Sequence, residues 1–183
     1  MVSGPTDNYQ RVIARQADLL GVSIQNPDQS YTYTFASAIP ATYIAPYNDT
    51  SSFGEVHGEL QGLPLLDGTY TVGIEAYKSY VVAGVSHRDA GNATYDVLLG
   101  TATALIPREV VTLANCNQCH SELRAHGAIR REVSLCVLCH TAGAEDKNDP
   151  TVENGTPGVS IDFKVLIHRL HNGAHLPSVS GVG

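Results

Sequence analysis

The chemistry of this chain is concentrated in its cysteines and histidines. All four cysteines fall in two copies of one pattern, Cys116-Asn117-Gln118-Cys119-His120 and Cys136-Val137-Leu138-Cys139-His140. C-x-x-C-H is the haem c attachment signature. Two thiols one helical turn apart match the separation of the two vinyl groups to which they add, and the histidine that follows directs its imidazole at the iron. The expected cofactor is therefore haem c, two copies, held covalently by Cys116, Cys119, Cys136 and Cys139, with His120 and His140 as proximal ligands. A zinc ribbon also fits the cysteine spacing, and so would a pair of disulfides, but neither uses the two histidines.

Each iron needs a second axial ligand unless it is left open for chemistry. The single methionine, Met1, stands at the terminus and is a poor donor, so bis-histidine ligation is the natural reading, with a lower potential than histidine–methionine. His126 lies too near His120 in sequence to close the same haem and is placed to reach the second. His168 and His171, three apart on a helix, point to the same side, and one of them could close the first. His175 is a weaker candidate, and His57 and His87 read as solvated loop histidines. Two irons do not use all of these. A spare histidine would serve a haem outside this segment or hydrogen-bond a propionate. Arg124, Arg130 and Arg131 lie between the motifs, where an arginine could grip a propionate bidentately or simply form a solvated basic loop.

The elements that must hold these residues divide the chain in two. Residues 1–107 read as a β-rich domain, an antiparallel sandwich or split barrel. Tyr31–Phe35 and Tyr70–Tyr77 alternate in character, and Ser79–Ser86 and Tyr95–Leu99 are predicted as two further strands joined by a loop over His87–Asn92. Arg11–Leu20 is ambiguous between helix and strand. Residues 108–183 read as a small, largely irregular dihaem domain with short helices. Its Thr141–Ser160 stretch is a polar loop. Phe163, Leu166, Ile167 and Leu170 form one apolar stripe of a helix, capped by Ser160 or Asp162 and ended by Gly173.

The bulk numbers agree with an extracytoplasmic redox protein. The 183 residues suffice for a medium domain or a β module plus a haem module. A net charge of −7 argues against a nucleic-acid partner, which needs a basic face. No apolar run approaches the ~18 residues of a membrane helix. No signal peptide is visible, yet haem c maturation takes place outside the cytoplasm. The expectation is a leader removed or lost, or a piece of a longer protein.

From Arg108 to Asn172 the pattern resembles the OmcA/MtrC family of outer-surface multihaem cytochromes. The residues that carry this are Arg108-Glu109-Val110-Val111, both C-x-x-C-H motifs, Leu123, His126-Gly127, Arg130-Arg131 and Phe163 to His171. Gly58-Glu59-Leu60 and Gly68–Val72 resemble the β domain that precedes the haems there. The resemblance implies closely spaced bis-histidine haems and residence at the cell surface. It also implies electron transfer to extracellular acceptors such as metal oxides or flavins, and His126, His168 and His171 match the family's distal ligands. Members carry many more haems than two, so the chain is expected to be either a piece of a longer cytochrome or a dihaem member. Its expected partners are other redox proteins or copies of itself. The alternatives are a haem enzyme with one open iron, of peroxidase or nitrite/sulfite reductase type, and a self-assembling subunit that builds a chain of haems.

Overall fold

A computed structural model describes residues 1–14, 19–44, 60–146, 156 and 159–173. It is dominated by one antiparallel sheet of four strands in the order β2-β1-β5-β6: β1 (Val2–Gly4), β2 (Gln10–Ile13), β5 (Gly68–Val82) and β6 (Val85–Leu99). A second ribbon pairs β3 (Ile24–Gln25) with β4 (Tyr31–Thr32). The sheet is open, and among the described residues it does not close into a barrel. The helices are short: α1 (Leu19–Val22), α2 (Leu113–Cys116), α3 (Val133–Cys136) and α4 (Phe163–His171).

The largest departure from the sequence-based expectation is the β5–β6 hairpin. The segment predicted as a loop, His87–Asn92, is continuous strand, paired residue for residue from Tyr80↔His87 to Glu75↔Asn92. The chain reverses instead at Ala83 and Gly84, whose φ values of +50° and +80° are both left-handed, as a two-residue type I′ hairpin demands. Alanine is not a usual residue for that conformation, so the turn is not legible in composition. The polar run Arg88-Asp89-Ala90-Gly91-Asn92 is tolerated as strand because it lies in the part of the ribbon that extends past β1, which pairs only with Thr71 and Val72 of β5. Of the Tyr31–Phe35 run only Tyr31 and Thr32 are strand. Tyr33 and Phe35 stack edge-to-face at 5.1 Å, and Phe35 packs on the core. The ambiguous stretch resolves into β2 and α1, with residues 15–18 outside the described set.

Side chains alternate across β5, and each face has its own core. On one, Tyr70 and Val72 join Val2, Val12, Tyr43 and Leu60. The buried hydroxyls there satisfy each other: Tyr43 Oη lies 3.2 Å from Tyr70 Oη, and Tyr70 donates to Leu66 O at 2.7 Å. Burial, with Tyr43 alongside, holds the Tyr70 phenol far above its ordinary range. On the opposite face, Tyr9 packs with Val133, Leu135, Val137 and Leu138 of the cysteine-bearing segment. Gly73 makes that contact possible: a Cβ there would fall inside the Leu138 side chain and 2.8 Å from Leu135 Cδ1. Ser3 Oγ donates to Leu138 O at 2.7 Å and Gln10 Nε2 to Ala142 O at 3.1 Å.

Helix α4 starts at Asp162, whose carboxylate accepts from Val165 N at 3.2 Å, and Gly173 follows its C-cap Asn172. Asp162→Ala should cost about 1 kcal/mol through the lost cap. Faster hydrogen exchange at Val165, with the sheet amides unchanged, would register it. None of the apolar side chains of α4 is fully buried by protein, and Leu170 is 57% exposed.

Candidate haem-binding site

The two motifs adopt the same local geometry. After α2, Cys119 N and His120 N both donate to Cys116 O, at 3.2 and 3.1 Å. After α3, Cys139 N and His140 N both donate to Cys136 O, at 3.1 and 3.0 Å. Each motif is thus a single tight turn that sets its two cysteines one turn apart with the histidine directly after. Leu113 and Cys116 of the first turn pack against the cluster that holds Leu135, Val137 and Leu138 of the second, so the two turns lie close together.

The histidines come together in two facing pairs. His120 faces His171, ring centroids 6.2 Å apart and planes at 63°. His140 faces His126, 6.0 Å apart and at 31°. A metal–imidazole bond is about 2 Å, so two such bonds plus the inner half of each ring span about 6 Å. The pairs are therefore spaced to accept an iron between them. They also cross over as the sequence spacing requires, with His126 opposite the second motif and α4 opposite the first.

Protonation is set by the backbone. His140 Nδ1 lies 2.8 Å from Ile161 O, and His171 Nδ1 lies 2.8 Å from Ile167 O. A carbonyl only accepts, so each Nδ1 carries the proton and each Nε2 keeps its lone pair for a metal, the usual arrangement behind a histidine ligand. His168 makes the same contact with Lys164 O at 2.8 Å, so it too presents Nε2. It is His171, however, that faces His120. His126 is held by local backbone. It begins three successive left-handed residues, His126, Gly127 and Ala128 (φ +50°, +71°, +68°). The loop is closed by Ala125 N donating to Arg130 O and Arg130 N to Ala125 O. A non-glycine residue in that region stores strain, here in the loop that carries a candidate ligand.

His87 is in β6, not in a loop, and stacks on Tyr80 at 5.5 Å. His57 and His175 lie outside the described residues. The arginines between the motifs are engaged with protein. Arg124 and Arg131 both pair with Glu122, and Arg131 also donates to Arg88 O at 2.9 Å. Arg130 pairs with Glu75 on β5 at 2.8 Å. Together with Asn92, which donates to Ile129 O and accepts from Arg131 N, they dock the His126 loop onto the hairpin. Glu75, Asn92, Gly73 and Ser3 had no sequence signal, because their partners are remote in the chain.

The donor set fits haem c. Its thiols are arranged in pairs, the imidazoles pair at the centroid spacing that two metal–imidazole bonds require, and half-buried Phe163, Leu166 and Ile167 of α4 offer apolar surface beside His171. A zinc ribbon needs the four thiols at one point. Among the described residues no three of the His, Cys, Asp and Glu side chains converge to hold a single ion. Turn geometry and ligand set together are those that a c-type cytochrome requires.

Comparison with known proteins gives the same class. Residues 108–180 match the family model described as outer membrane cytochrome MtrC/MtrF-like, domains II/IV. Over that segment the chain is similar to this family of outer membrane cytochromes. No curated protein and no solved structure matches the chain. No helix among the described residues is long and apolar enough to cross a membrane.

Proposed function

We propose that this chain is an extracytoplasmic electron-transfer unit carrying two bis-histidine c-type haems. Cys116 and Cys119 would hold one, with His120 and His171 as its ligands. Cys136 and Cys139 would hold the other, with His140 and His126. The observation that carries this is the spacing of the two imidazole pairs, 6.2 and 6.0 Å between centroids. Bound there, haem would supply a one-electron couple. The protein's part is then to tether, orient and desolvate. The thiols fix position, the carbonyls behind His140 and His171 fix tautomer, and residues 1–107 form a β platform beneath the haem module of residues 108–183.

A role within a longer conduit to extracellular acceptors such as metal oxides or flavins rests on the family resemblance. So does exchange with other redox proteins or copies of this chain, for which His168 offers a further ligand.

Single substitutions His171→Ala and His126→Ala test the assignment. Each should leave both haems covalently bound and convert about half of the low-spin absorption to high-spin, the double variant converting all of it. An unchanged spectrum in either single variant would remove that histidine from the ligand set. A high-spin haem in the unaltered protein would favour the enzyme reading instead.

A further inference from the structure

The two motifs sit in unlike surroundings. In the first, Cys119 and His120 are exposed and α2 buries no residue. In the second, Val137, Leu138 and Cys139 are 2%, 0% and 8% exposed, and α3 packs on β6. An ion pair lies beside this second, sheet-seated motif. Arg130 Nε meets Glu75 Oε2 at 2.8 Å, with Nη2 3.4 Å from Oε1, and the two side chains are only 11% and 16% exposed. Burial opposes the Arg130 charge; the Glu75 carboxylate hydrogen-bonded to it works the other way, and the guanidinium pKa is raised. Arg130 closes the His126 loop through its paired backbone bonds with Ala125, so its charge stands beside a ligand of the second centre.

We propose that the Arg130–Glu75 pair tunes the second centre, and that this pair and the buried seat together hold its reduction potential above that of the first. The inference rests on the two-haem reading above. Reduction of a ferric bis-imidazole centre neutralises one positive charge. Low-dielectric surroundings disfavour the charged form, and a neighbouring cation disfavours it further. Arg130 raises the potential, and Glu75 tempers that effect by partial neutralisation. The first centre lacks the buried seat, since α2 buries no residue.

The test is an EPR-monitored redox titration of the haem-loaded protein. The two signals are assigned with His171→Ala, which alters the first centre alone. The unaltered protein should show the second centre reducing at the higher potential. Glu75→Gln should raise its potential and Arg130→Gln should lower it. Each shift should amount to about a tenfold change in the ferric-to-ferrous ratio at fixed potential, equivalent to 59 mV for one electron. Arg130→Lys, which keeps the charge, should stay near the unaltered value, and the first centre should move little in any variant. A purely structural role would shift Glu75→Gln and Arg130→Gln in the same direction. That result, equal movement of both centres, or a second centre no higher than the first would overturn the proposal. Loss of a haem or of low-spin signals in the unaltered protein would instead overturn the two-haem reading. Should Arg130→Gln not accumulate, the signs from Glu75→Gln and Arg130→Lys still decide.

Discussion

Replacing Cys116 and Cys119 together by alanine should remove one covalently bound haem and leave the sheet folded. The same change at Cys136 and Cys139 should remove the other haem and destabilise the whole chain. The asymmetry follows from where the two turns sit. Cys119 is exposed, and the first turn contributes only partly buried Leu113 and Cys116 to the core beneath the sheet. The second turn supplies Val133, Leu135, Val137 and Leu138 to that core. Losing its tether frees a segment that Tyr9, Ser3 and Gln10 also hold. Intact mass under denaturing conditions counts the haems, and thermal unfolding reads the stability. Two haems retained in either double variant would refute the attachment sites. Equal melting losses in both would refute the asymmetry.

The second large effect is expected at the contact between Leu138 and Gly73. Leu138 is 0% exposed, so Leu138→Ala loses both its transfer free energy and the packing around the void. Such changes cost about 2–5 kcal/mol, and for a chain of this size each kcal/mol lowers Tm by roughly 2–4 °C. Gly73→Val attacks the same contact from the sheet. Its side chain would occupy space now filled by Leu138 and Leu135, an overpacking that costs typically about 1–3 kcal/mol. Leu20, 66% exposed, supplies the control, since Leu20→Ala should stay within about 0.5 kcal/mol. If Leu138→Ala melted with the control, the second motif would not be seated on the sheet as described.

Legibility in the sequence followed the range of the interactions involved. The C-x-x-C-H turns were readable because their geometry is local: five consecutive residues place two thiols and an imidazole through bonds to the Cys116 and Cys136 carbonyls. Helix α4 was readable for the same reason, its apolar stripe, Asp162 cap and Gly173 stop all lying within one short segment. The hairpin was misjudged at its turn. Left-handed φ at Ala83 is imposed by fifteen paired residues on either side, a cooperative constraint that outweighs the preference of one alanine.

The sequence by itself pointed to the cofactor class and limited the histidines from which ligands could come. Only the tertiary structure decided which imidazole faces which. His168 and His171 are equivalent to a reader of sequence, lying three apart on one helix, and even in the structure both donate Nδ1–H to a carbonyl one turn back. The way α4 packs turns His171 rather than His168 onto His120. Likewise, nothing in residues 125–130 announces that Arg130 will find Glu75, 55 positions earlier. That pairing exists because Gly73 lets the second motif close onto β5, and Asn92 holds the His126 loop to β6. Contacts between remote segments depend on shape complementarity formed only when both are folded, and the difference between the two candidate haem sites is of that kind.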